Sequence, residues 1–215
     1  DYSLVEVFGG SKDNAIPRSG KVVLTSNVDI KDLITKVANE IKEKYISFEK
    51  EMTFSLEVTT AKEISAFSTK TLDSYIKTIE EIPTGVNTWM KEYPEIVESS
   101  DNLAIVKTLD ENINIIVSLR SSDPEVLKEL KDKIASILKE NNASFEFSAG
   151  YPEWKFRAES KLREKALEVY KKLYNKDMKV EVIHAGLECG AISQNYPDID
   201  FISVGPNLRD VHTPS

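Results

Sequence analysis

The sequence predicts an α+β fold over residues 1–150 and a partial α/β segment over residues 151–215. The first part reads as an antiparallel sheet with helices packed on one face, ferredoxin-like in character and built from a strand–strand–helix–strand unit that occurs twice. Three observations carry this. Two amphipathic helical stretches start at Asp29 and Asp123, and each follows two β-rich runs. Each is followed by a further run that alternates apolar and polar residues. After Gly150, Tyr151-Pro152 breaks the pattern, and helical and extended stretches begin to alternate instead.

Taken in order, Leu4–Phe8 and Lys21–Thr25 are the first two β-rich runs. In the stretch from Asp29 to Phe48, Ile30, Leu33, Ile34, Val37, Ile41, Tyr45 and Phe48 recur at steps of three and four, which places them on one helical face. Phe54–Thr60 then alternates Phe54, Leu56 and Val58 with polar neighbours, as a half-buried strand does. Thr69–Glu81 is a further helix, ended by Pro83-Thr84-Gly85. Residues 86–100 carry no clear period. In the second copy, Leu103–Leu109 and Ile113–Leu119 are the paired runs, and the helix spans Pro124–Glu140. Asp123 is a good N-cap, and Pro124 suits the first helical position, where its missing N–H has no partner to lose. Asn141-Asn142 suits the exit, and Ser144–Ser148 is the closing run. In the second part a helix is expected over Glu159–Tyr174, then strands over Lys179–Ala185 and Asp200–Val204.

Bulk properties narrow the function. The net charge of −8 argues against a nucleic-acid partner, because that affinity rests on Lys and Arg neutralising phosphates. No apolar run approaches the ~20 residues that span a bilayer, so no membrane partner is expected. The single cysteine, Cys189, excludes an intrachain disulfide and points to a reducing, cytoplasmic compartment.

Both histidines, His184 and His212, fall in the last 32 residues, each near the end of an expected strand. With Glu188, Cys189, Asp198, Asp200 and Asp210 nearby, this stretch holds the atom types that zinc prefers. An exposed or core-satisfied histidine remains the plainer alternative, since no HExxH or CxxC spacing is present. A mononuclear site on His184, His212 and Glu188 is a further alternative. Cys189 acts as a nucleophile only with a base beside it. Gly9-Gly10 followed by Asn14-Ala15-Ile16-Pro17-Arg18 is a turn-rich entry into a strand, and nothing in it has the pattern of a phosphate loop. Arg120 ends an alternating strand. It is either a surface ion-pair partner, worth at most about 1 kcal/mol, or a clamp whose planar fork holds both oxygens of a carboxylate.

Several of these stretches resemble one family. His184-Ala185-Gly186-Leu187-Glu188-Cys189-Gly190 is similar to the signature of bacterial aminoacyl-histidine dipeptidases, the peptidase D or carnosinase-like group. Asp200–Pro206 and Val211–Ser215 look like that family's closing strand and its His-Ser/Thr-Pro turn. The Gly9-Gly10…Asn14…Arg18 stretch resembles the start of the family's lid domain, and Gly150–Trp154 the point where the chain leaves it.

The resemblance implies a hydrolase that splits Xaa-His and related dipeptides with two zinc ions, other divalent ions being alternatives. It implies a lid and dimerisation domain over residues 1–150, and a C-terminal part of the catalytic domain over 151–215. His212 matches the last zinc ligand. Asn14 matches a lid residue reaching the scissile carbonyl, Arg120 one reaching the substrate carboxylate, and Gly186 a backbone position lining the pocket. His184, Glu188 and Cys189 belong to the signature without a set role. The family's His-x-Asp pair, bridging aspartate and Glu-Glu general base have no counterpart in these residues, so no catalytic residue is assigned. The expectation is a segment of a dipeptidase that grips substrate and is inactive alone. The competing expectation is a stand-alone dimerisation or binding module that uses no metal.

Overall fold

The structure is a computed structural model and describes residues 2–60, 63–150, 152, 154–182 and 187–205. Its strands are β1 (Tyr2–Gly9), β2 (Gly20–Ser26), β3 (Gly85–Trp89), β4 (Val97–Leu109) and β5 (Asn112–Ser121). Its helices are α1 (Lys31–Tyr45), α2 (Thr69–Glu81), α3 (Pro124–Glu140), α4 (Lys161–Tyr174) and α5 (Glu188–Asn195). The α+β class is as predicted. The sheet runs in the order β2-β1-β4-β3, with β5 also paired to β4, and the β1–β2, β1–β4 and β3–β4 ladders are antiparallel.

Contacts divide the chain into two units, Asp1–Ile82 with Asn102–Ser118 and Asn141–Ala143, and Pro83–Asp101 with Leu119–Glu140 and Ser144–Ser215. The first unit is centred on Leu4, Val7 and Val106, with Leu24, Leu72 and Tyr75 packed around them. Leu4 and Val7 are three residues apart, so strict alternation along β1 would turn one of them away from the core. A bulge resolves this. Leu4 pairs with Leu24 and Glu6 with Val23, leaving Val5 as an extra residue that shifts the phase of the strand. Glu6 consequently lies at the solvent side, 3.1 Å from Lys21 Nζ.

Helix α2 is seated from both ends. Ser68 caps it by accepting the Thr71 N–H, and the Phe67 N–H donates to the Leu4 carbonyl at 2.8 Å. At its far end Asn141 Nδ2 donates to Glu81 Oε2 at 2.6 Å, and from mid-helix Ser74 Oγ donates to the Asn141 carbonyl. Helix α1 has the same kind of apolar stripe and buries none of it.

In the second unit, β3 lies against the start of β4. Thr88 and Ser99 hydroxyls share a hydrogen bond of 2.6 Å there, and Asn87 Nδ2 donates to Asp101 Oδ1 at 2.6 Å. Helix α3 has the predicted bounds and caps: Asp123 Oδ1 accepts the Glu125 N–H at 2.9 Å, and Asn142 leaves the helix with a left-handed φ of 57°. Ser160 caps α4 by accepting the Arg163 N–H, and Asn175 ends it in the left-handed region.

Four expected strands are not formed in the described residues. Phe54–Thr60 and Ser144–Ser148, the closing strands of the two repeats, join no ladder, and neither do residues 179–182 and 200–204. A strand exists by its ladder, and no described segment pairs with these four. Alternation in sequence reports a preference for a pleated surface and does not supply the neighbour. Strand–strand–helix is therefore what repeats, as β1-β2-α1 and β4-β5-α3. Residues 86–100, which carry no period, form β3 and the start of β4, while α5 was not anticipated.

Candidate functional site

The Asn14 segment is a ten-residue loop joining β1 to β2, closed at its base by the Gly9–Gly20 pair and by the Gly10 N–H donating to the Ser19 carbonyl at 3.2 Å. Its tip is a turn in which the Ala15 N–H approaches the Lys12 carbonyl at 3.4 Å, so that Asp13 and Asn14 are the central residues. Asn14 is exposed. Two contacts tie the loop to β4. Asn102 Nδ2 donates to the Ala15 carbonyl at 2.9 Å. Gly10, buried with φ of 74°, lies so close to β4 that a Cβ on it would stand 1.9 Å from the Ala104 carbonyl oxygen. Only glycine fits both that conformation and that gap.

Arg120, in the second unit, is the penultimate residue of β5 and is half-buried. The chain just past it is held firmly. Buried Ser121 donates through Oγ to the Glu98 carbonyl at 3.0 Å and accepts the Asp123 N–H at 3.0 Å, while the Ser122 N–H donates to the same Glu98 carbonyl. Asp123 then meets Lys155 Nζ at 2.5 Å. The Lys155 hydrogen bond, with help from the Glu125 N–H, holds the Asp123 carboxyl below its ordinary range.

The signature stretch enters α5 at Glu188, which is exposed, and Cys189 follows half-buried in the first turn. His184, Gly186 and His212 lie outside the described residues. Asp200, grouped in sequence with zinc-type ligands, has another use. Its Oδ2 accepts the Leu162 N–H and the Ser160 hydroxyl, both at 2.9 Å, at the start of α4. The Leu162 N–H is the main cause that holds its carboxyl below the ordinary range, with Ser160, Arg157 and Arg163 adding to it. Among the described residues no group of three or more His, Cys, Asp or Glu side chains is placed to hold a metal ion. The described residues therefore do not by themselves fit a zinc centre. No helix among them is long and apolar enough to cross a membrane.

Sequence reasoning passed over Asn102, Ser121 and Ser160. Ser160 had a visible signal, a serine just ahead of a helical period. Asn102 and Ser121 had none, because each acts on a backbone carbonyl distant in sequence, 87 and 23 residues away.

No family model matches the chain. Among curated proteins, the cytosol non-specific dipeptidase of Escherichia coli (strain K12) is 31% identical over 221 aligned residues, covering all of this chain and 45% of that protein. Among solved structures, the aminoacylhistidine dipeptidase from Vibrio alginolyticus superposes with a TM-score of 0.85 at 29% identity, covering 96% of this chain and 43% of that one. Both relatives are dipeptidases, and the chain spans a little under half the length of each. In sequence and in fold, nearly the whole chain is thus similar to a part of these dipeptidases.

Proposed function

We propose that this chain is the substrate-gripping part of a zinc dipeptidase whose parent protein hydrolyses Xaa-His and related dipeptides in the cytoplasm. The observation that carries this is the end-to-end match to two dipeptidases. The domain assignment proposed is a lid over residues 1–150 and a catalytic-domain portion over 151–215. Two zinc ions bound in the parent would supply an activated water and positive charge beside the scissile carbonyl. His212 is the ligand offered by this chain, and Gly186 lines the pocket through its backbone.

The chain's own side chains bind and orient. Asn14 presents an amide donor to the carbonyl oxygen as it gains negative charge, which lowers the barrier because the donor is in place beforehand. Arg120 holds the dipeptide's terminal carboxylate through its two-pronged fork and so fixes which bond is cleaved. Support for a positioned Arg120 comes from the anchored Ser121–Asp123 corner directly after it. A homodimer through the lid is part of the same proposal. It is supported by the open apolar stripe of α1 and by β2 ending the described sheet.

The test is Xaa-His hydrolysis by the parent enzyme with Arg120 intact and with Arg120→Ala. The clamp predicts a KM raised roughly 10- to 100-fold, the range for losing hydrogen bonds to a charged group. Unchanged kinetics would leave Arg120 as an ion-pair partner. The 215 residues alone, with zinc added, are expected to show no turnover. Turnover by them would overturn the substrate-gripping assignment, and an inactive parent would favour a binding module.

A further inference from the structure

We propose that Asn102 is a positioning residue for Asn14, and that β4 holds the β1–β2 loop at two points so that Asn14 is preset for its role. The inference rests on the function proposed for Asn14 and concerns how that side chain is held.

An exposed turn between two strands is ordinarily free to move, because its backbone groups are satisfied by water. This one is restrained. The amide of Asn102, half-buried on β4, donates at 2.9 Å to the carbonyl of Ala15, the residue directly after Asn14. At the start of the loop, Gly10 packs against the Ala104 carbonyl with no room for a Cβ, and Ala104 is fully buried. Asn102 and Ala104 are two apart on one strand. The loop is thus fastened near its tip and at its root to the same rigid element. Gly10, Asn14, Ala15, Asn102 and Ala104 all belong to the first unit, so the restraint is internal to it.

A donor aimed at developing charge helps only if it need not be reorganised during the reaction. Misplacement of a catalytic group by about 1 Å can cost on the order of a hundredfold in rate. Asn102 reaches Ala15 across 87 residues of sequence, and a backbone carbonyl at an exposed tip has no structural need of it. The bond restricts where the next side chain back along the chain can point.

The experiment is a double-mutant cycle in the full-length parent enzyme with Asn14→Ala, Asn102→Leu and the double variant, and with Asn102→Asp as a second way to lose the donor. Turnover is measured together with the inhibition constant of a phosphinate dipeptide analogue, a tetrahedral mimic of the transition state. Asn14→Ala is expected to lower kcat by about 100- to 1000-fold. Both Asn102 variants are expected to lower it by about 10- to 100-fold with KM little changed. The analogue should weaken in parallel, and the double variant should be no worse than Asn14→Ala alone. A loss of folded protein would not move the inhibition constant, so that readout separates positioning from stability. If Asn14→Ala is impaired while the Asn102 variants match wild type, or if the losses multiply in the double variant, the positioning role is overturned and the role of Asn14 stands. If Asn14→Ala itself is fully active, the function proposed for that residue fails, and this inference with it.

Discussion

Strand β4 buries Ser99 and Asp101 in its first half and Ala104 and Val106 in its second. The first half belongs to one unit and the second to the other. In the apolar half, burial is satisfied by contact, since Val106 needs only Leu4 and Val7 against it. In the polar half each buried group needs a named partner. Ser99 has Thr88 and Asp101 has Asn87, both from β3. Even so Asp101 Oδ2 has no hydrogen-bond partner among the described residues. Burial pushes the Asp101 carboxyl above its ordinary range, while Asn87 and Lys133 pull it back in part. One strand can therefore carry two kinds of core, and they should fail in different ways.

The sharpest way to separate them is Leu4→Ala. Leu4 is 2% exposed, and its loss should destabilise the chain by about 2–5 kcal/mol at any pH, read as a lower urea midpoint. A smaller loss of about 1–3 kcal/mol is expected for Asn87→Ala at neutral pH, because it strips the buried Asp101 carboxylate of its side-chain donor. That loss should shrink in acid, where the carboxyl carries its own proton. If both variants respond to pH alike, the distinction between the two halves of β4 is wrong.

The Asp101 titration sharpens the contrast further. Below an ordinary aspartate value of about 3.9 the group is protonated whether the chain is folded or unfolded. As pH rises past that value the unfolded chain gives up its proton first, so stability falls, and it levels off only above the raised folded-state value. Asp101→Asn should remove this fall. The difference between the wild-type and Asp101→Asn urea midpoints, followed from pH 4 upward, should widen in favour of the variant. Asp123 and Asp200 are shifted the other way and act on both proteins equally. A flat difference would show that folding does not raise the Asp101 carboxyl above its ordinary range.

The smallest effect is expected on α1. Leu33 is 56% exposed in the single chain, so at dilutions that keep the chain monomeric Leu33→Ala should change stability by no more than about 0.5 kcal/mol, and the loss should grow at concentrations where the proposed lid dimer forms. A large loss would mean that the stripe is covered, as a lid dimer would cover it. Sedimentation of the same samples would then show the larger species.

Much of the helical layout was legible in sequence. The bounds of α2 and α3 follow from apolar spacing, from Pro124 at a first turn and from Pro83 just beyond a last one. The Gly9-Gly10 loop with Asn14 was also visible, since glycine and asparagine mark turns directly. What was not legible depends on distant partners. The bulge at Val5 reflects which of its neighbours meets Val106, and the missing ladders at 54–60 and 144–148 reflect the lack of a described neighbour. The role of Asn102 depends on a carbonyl in the loop between two other strands.

The residues alone thus determined α1 to α4, the caps of α3, the turn chemistry and the family signature, because those are properties of neighbours within four positions along the chain or of a contiguous motif. The tertiary structure decided the phase of β1, the polar pairing of β4 with β3 and the tethering of the Asn14 loop. Each of these joins atoms brought together only by folding, and no local period encodes which strand will lie alongside.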